Sequence, residues 1–298
     1  MKPSYSPLRY PGGKQKLVPY FKQFILANQL FGCHLFELYA GGASISLAML
    51  MDGLVSRVTL CEKDPLLYSF WFSVKNNSEE LCEKILRLQV TLAKWRFYKN
   101  FLKIKHPNKE SKMKLALACI FLNRSNYSGI LKAGPIGGMK QESEYKIFCR
   151  FNKKRIVEQI KAISKFKKKI TVKYVDALEF VKSASKKINN KTLLYFDPPY
   201  YLKGSSLYRY SYKENDHKSL AEITKKIRTP WFVSYDRHEK IIENFNGARI
   251  STLSINYELR HLENVDELII SNMKLPKRLK QNLNDCETLW DAKIKLDA

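Results

Sequence analysis

The stretch "CHLFELYAGGASISLAMLMDG", residues 33 to 53, followed closely by "RVTLCEKD", constrains the fold more than any other part of the chain. Its two apolar runs end on polar or charged residues, as buried strands of an α/β sheet do. Between them the apolar residues of 43–53 recur at helical spacing and stop at Gly53. Strand, helix and strand in that order make a βαβ unit with parallel strands and a right-handed crossover. Sheets of this kind bind ligands outside the carboxyl ends of their strands, so chemistry is expected there.

The same texture returns late in the chain. "KITVKYVDALEFV" runs from strand into helix, "TLLYFDPPY" is another apolar run ending on a carboxylate, "NDHKSLAEITKKI" opens a helix near Asn215 or Asp216, and "PWFVSYD" reads as a strand. "RISTLSINYEL" and "VDELIISNM" are short, β-rich and close together, which predicts an antiparallel hairpin closing the sheet edge. From about 67 to 166 the pattern is instead helical and positively charged, with a Gly-rich turn, "NYSGILKAGPIGG", at 126–138. The expected organisation is a Rossmann-like α/β domain from residues 1–66 and 167–298, with a helical insertion over 67–166. At 298 residues and 45% apolar, the chain can fill such a core.

"FELYAGGAS" puts Gly41 and Gly42 at a strand-to-helix turn, where missing side chains let the backbone approach a ligand. Glu62 follows Gly41 by 21 residues, at the strand end where doubly wound folds hold a ribose diol. The dinucleotide fingerprint GxGxxG is absent. A nucleoside ligand without a pyrophosphate needs no phosphate-cradling loop, which favours S-adenosylmethionine over NAD. Asp176 reads two ways, as an acceptor for that cofactor's adenine amino group and as the N-cap of "ALEFVKSA"; both can hold. In "RYPGGK", Lys14 is placed to meet a carboxylate and Tyr10 to cover an apolar ligand surface, unless the segment is only an N-terminal turn.

In "LLYFDPPYYLKG", Pro198 and Pro199 donate no backbone hydrogen bonds and fix φ, so they stop the strand and leave carbonyls free to accept. Asp197 then projects from a dry strand end beside those carbonyls. An exocyclic nucleobase amine suits such a pocket, since its two N–H groups can donate to the Asp197 carboxylate and the Pro198 carbonyl. Acceptors on both hydrogens localise the nitrogen lone pair, and orientation toward an electrophilic methyl supplies the rest. Asp197 can take a proton late in the reaction. Tyr200 offers a face on which a base turned out of its duplex can stack.

Charge and cysteines narrow the class. Lys and Arg number 53 against 28 Asp and Glu, a formal net charge of +25, which suits a polyanion partner such as nucleic acid. A solvated lysine-rich surface would give the same excess. The six cysteines are scattered without CxxC pairs, as in a reduced intracellular protein without zinc or disulfides. No signal core is visible, and no run approaches the roughly 18 to 20 apolar residues of a membrane helix. A cytoplasmic protein without membrane association is expected.

Taken in order, "RYPGGK", "FELYAGGAS", "CEKD", "RFN" at 150–152, "LLYFDPPYY" and "VDELIISN" resemble the DNA-adenine N6-methyltransferases of the Dam type over nearly the whole chain. The resemblance implies an S-adenosylmethionine-dependent methyltransferase sheet with an inserted helical DNA-recognition domain. It also implies Asp197, Pro198, Pro199 and Tyr200 at the target amine, with Tyr10, Lys14, Gly41, Gly42, Glu62 and Asp176 around the cofactor. Members reading GATC carry a hairpin with aromatic and arginine readers where this chain has "NRSNYSGILKAGPIGG", and Glu62 stands where many relatives have Asp.

The expected partners are double-stranded DNA and S-adenosylmethionine, with room for a cognate restriction endonuclease acting separately. Residues 146–169 carry ten Lys or Arg, suited mainly to phosphates. Arg124, Asn126 and Tyr127, beside the flexible turn, are candidates for base reading or for filling the gap left by a flipped adenine, with Arg150 as a further DNA contact. Three alternatives stay open on the residues alone: an RNA methyltransferase, a cytosine-N4 methyltransferase, and a catalytically silent binder of the same fold.

Overall fold

The computed structural model describes residues 5–10, 12–184, 191–256 and 264–276. Seven strands form one sheet: β1 His34–Glu37, β2 Arg57–Glu62, β3 Ile170–Tyr174, β4 Thr192–Phe196, β5 Trp231–Asp236, β6 Arg249–Asn256 and β7 Asn264–Ser271. Their order is β3-β2-β1-β4-β5-β7-β6. The first five run parallel to one another, and β7 pairs antiparallel with both β5 and β6. Strand order reverses between β1 and β4, so the crevice where ligands of such sheets bind opens at their carboxyl ends. The predicted hairpin is present at the sheet edge. Residues 257–259 of "RISTLSINYEL", and Cys286, lie outside the described residues.

The apolar runs are continuous because both sheet faces are covered. Leu193, Tyr195, Phe232 and Ile269 point into one apolar cluster, while Leu194, Phe196, Trp231, Val233, Tyr235, Leu268 and Ile270 point into another. Helices α1 Val18–Ala27 and α2 Ser44–Met51 join the first cluster. Gly53 ends α2 with φ +73°, a left-handed turn that glycine adopts without strain.

Between β2 and β3 lie α3 Pro65–Asn76, α4 Ser78–Arg87, α5 Leu92–Lys99, α6 Lys112–Ser125 and α7 Lys153–Ser164. Asp64 caps α3 by accepting from the Leu66 N–H at 2.8 Å, with Pro65 at the first helical position. This helix lies on the sheet: Tyr68 packs against Tyr174 of β3 with ring centroids 5.1 Å apart. Leu66 and Phe70 of α3, Leu81 and Ile85 of α4, Phe121 of α6 and Ile160 of α7 belong to the same apolar cluster as Leu35, Val58 and Leu193 of the sheet. The helical segment therefore shares the sheet's core. Beyond β3 come α8 Ala177–Ala184, α9 Gly204–Leu207, α10 Glu214–Lys226 and α11 Glu239–Asn244. Residues of α8, α10 and α11 cover the opposite face. Among the described residues no helix is long and apolar enough to cross a membrane.

Candidate active site

A cleft of about 360 Å³ opens at the carboxyl ends of β1, β2 and β4. Tyr10, Lys14, Gly41, Gly42, Glu62 and Asp176, drawn from four separate segments, all line it, together with Asp197 and Pro199. The topology thus gathers the residues expected around a cofactor beside those expected at a target amine.

The side at β2 is held by main-chain amides. Glu62 is buried, and its two oxygens accept from the Gly41 N–H at 2.9 Å and the Asp64 N–H at 2.8 Å. Burial, and then the neighbouring Asp64, push its carboxyl up to about 7. Each oxygen retains acceptor capacity, as a diol requires. Gly41 has φ +43°, and a Cβ there would come within 2.7 Å of the Tyr10 ring. The glycine pair makes room for the Tyr10 ring, and its backbone still lines the cleft as expected of a ligand-facing turn.

Asp176 fulfils its capping role, one oxygen accepting from the Leu178 N–H at 2.9 Å while the other meets Lys63 Nζ at 2.9 Å. Glu37, which sequence reasoning passed over, is buried at the end of β1 and accepts from the Ser46 N–H at 3.0 Å. Burial raises it to about 8. Its position at the end of an apolar strand, before the Gly-Gly turn, was the available signal.

The side at β4 is held by side chains. Asp197 Oδ1 accepts from Ser234 at 2.9 Å and lies 3.0 Å from Lys14 Nζ. Among the described residues neither Asp197 Oδ2 nor the Pro198 carbonyl takes a protein hydrogen bond. Burial pushes the Asp197 carboxyl above its ordinary value, and Lys14 opposes that push.

Lys14 is nearly inaccessible and also reaches Glu267 Oε1 at 2.5 Å and the Tyr200 hydroxyl at 2.9 Å. Burial disfavours its ammonium, but Asp197 and Glu267 outweigh burial and keep it charged, well above its ordinary value. Three acceptors meet its three N–H groups, and two of them are carboxylates of the protein, so Lys14 meets a carboxylate as expected. Glu267 and Ser234 had no assigned role in the sequence. Tyr200 carries the Lys14 ammonium 4.6 Å from its ring centroid and stands edge-on to Tyr208, which stacks with Tyr10. Arg209 ties this region to the other half of the cleft through Asp64 at 2.7 Å and the Leu102 carbonyl at 2.7 Å.

The expected DNA readers separate. Asn126 is fully buried: its oxygen accepts from Trp95 Nε1 at 2.6 Å, and its nitrogen donates to the Ile130 and Leu131 carbonyls, each at 2.9 Å. Its amide is engaged inside the protein, so the expectation of base reading is corrected. Arg124 is half-buried, and its guanidinium clamps the Pro7 carbonyl. Tyr127 is 70% exposed and Arg150 is exposed, so both are accessible to a partner.

Comparison with known families matches residues 10–259 to the model described as D12 class N6 adenine-specific DNA methyltransferase. No curated protein matches the chain.

Proposed function

The chain belongs to the D12 class of N6 adenine-specific DNA methyltransferases, and we propose that its cleft holds S-adenosylmethionine beside an adenine turned out of duplex DNA. The reaction it performs is methylation of the adenine N6 amine in DNA, so the alternatives of an RNA or cytosine target and of a silent binder are not favoured.

The residues fit that cofactor. The cleft has the volume of a small-molecule site and lacks a phosphate-cradling loop. On this reading Glu62 offers its remaining lone pairs to a diol, Asp176 accepts from an adenine amine, and Glu37, raised to about 8 by burial, ionises when an ammonium docks beside it. When bound, S-adenosylmethionine supplies an electrophilic methyl group. The chain's own part is to hold the amine: Asp197 Oδ2 and the Pro198 carbonyl accept its two N–H groups and localise its lone pair. As the N–C bond forms, the amine loses a proton, for which Asp197 is the nearest carboxylate. We assign the Tyr200 ring to stacking on the extruded base.

We assign residues 67–166 to target recognition, with Tyr127 and Arg150 as exposed DNA contacts and the basic run toward residue 169 on phosphates. The observation that carries the reading is the half-satisfied Asp197. Its Oδ1 is fixed by Lys14 and Ser234, while Oδ2 and the adjoining carbonyl remain without protein partners among the described residues. Incubating unmethylated DNA with labelled cofactor and digesting the product tests it. N6-methyladenine from the wild type and none from Asp197→Ala is the expected outcome; activity in that variant would overturn the assignment.

A further inference from the structure

Glu267 has no place in the account so far, yet it is among the most thoroughly buried charged residues described, with no exposed surface. It comes from the middle of β7, where antiparallel pairing sets it opposite Asp236 at the end of β5. That register brings a carboxylate from β7, between β5 and β6, to the catalytic end of the sheet. There its Oε1 lies 2.5 Å from Lys14 Nζ, and its Oε2 is 3.4 Å from the Tyr200 hydroxyl.

We propose that Glu267 is a positioning residue for methyl transfer: by sharing Lys14 with Asp197, it leaves the site with a net negative charge that supports the cation forming on the target amine. The proposal rests on the reading of the cleft given above.

Lys14 could serve Asp197 as a private counter-ion, and the pair would then be neutral. With Glu267 ionised as well, two carboxylates share one ammonium and the buried group carries net −1. A neutral ion pair is a weaker acceptor than a carboxylate whose counter-ion is divided. In a buried site, where little water screens the charges, that difference acts on the nitrogen as it gains positive charge. Packing alone gives no reason for the arrangement, because a second buried carboxylate is costly and a neutral residue would fill the space.

The groups facing Glu267 are Lys14 from the N-terminal segment, Asp197, Tyr200 and Tyr208 from the β4 side, and Asp236 from β5. Burial raises its carboxyl to about 7, against the pull of Lys14 and with the push of Asp197. Protonating it returns the group to neutrality, so transfer should slow as pH falls through about 7.

Single-turnover methylation of unmethylated genomic DNA at saturating cofactor, followed as N6-methyladenine against pH, tests this. Glu267→Gln should slow transfer on the order of 10- to 100-fold while leaving cofactor affinity unchanged. It should also lose the dependence on pH around neutrality that the wild type shows. Glu267→Asp, which keeps the charge, should recover part of the rate and the slope. A Gln variant as fast as the wild type overturns the proposal, and so does a slow one that keeps the full slope. If the Gln variant does not fold, the wild-type profile decides alone, because a flat rate through neutrality contradicts the role. An inactive wild type, or an active Asp197→Ala, would instead break the underlying reading of the cleft.

Discussion

The two halves of the cleft hold their carboxylates by different means. At β2, Glu62 is fixed by backbone N–H groups of Gly41 and Asp64, and Asp176 by that of Leu178. At β4, Asp197 is fixed by side chains, Ser234 from β5 and Lys14 from the N-terminal segment, with Glu267 of β7 sharing the lysine. Main-chain fixation follows once the local strand-turn-helix units form. Side-chain fixation requires the N-terminal segment, β4, β5 and β7 to meet, and it makes the site responsive to charge. The half expected to bind the cofactor is thus built for shape, and the half expected to receive the target amine is built for electrostatics.

The largest test of this contrast sets two lysines against each other. Lys14→Met would leave the buried Glu267 and the half-buried Asp197 without a counter-ion, a loss of about 3–5 kcal/mol of stability. Lys63→Met removes a partner of Asp176 from a pair whose lysine is 53% exposed, and should cost at most about 1 kcal/mol. Denaturant unfolding of both variants measures the difference, and equal losses would erase the distinction.

A smaller effect is expected in the turn. Asn126→Ala leaves the Trp95 indole N–H and two carbonyls without their partner, so unfolding should show a loss of about 1–3 kcal/mol. The selectivity among DNA sites should be unchanged; a changed recognition sequence in a stable Ala variant would restore Asn126 as a base reader.

Smaller again is the effect at the cofactor half. Glu62→Gln should weaken cofactor binding by about tenfold, the weight of one charge-assisted hydrogen bond, while transfer at saturating cofactor stays near the wild-type rate. The ionised carboxylate is the better acceptor for a diol. With Glu62 raised to about 7, wild-type affinity should therefore be full above that pH and decline below it. Calorimetric titration across neutrality checks the sign, and affinity that rises on acidification would contradict it.

Much of this arrangement was legible in the residues. Unbroken apolar runs marked β1, β2 and β4 because those strands are covered on both faces, and their polar ends marked the cleft. What escaped depended on distant partners. Glu267 in "VDELIISN" carries no local sign of burial, and the pairing of β7 between β5 and β6 is what buries it. Asn126 beside a flexible turn reads as a ligand of bases, since nothing local announces Trp95 as its partner. The packing of Tyr10 against the Gly41 turn likewise brings in a residue from the start of the chain. The helix opening at Pro65 packs on the sheet through Tyr68, a contact with Tyr174 that no local pattern announces.

The central claim is that Asp197 acts on the target amine and not on the cofactor. Single-turnover methylation by Asp197→Ala at saturating S-adenosylmethionine, with cofactor affinity measured on the same preparation, tests it most directly. The account predicts that N6-methyladenine formation falls by on the order of 10³-fold or more while affinity is unchanged. Transfer that persists, or that is lost only in step with cofactor binding, would contradict it.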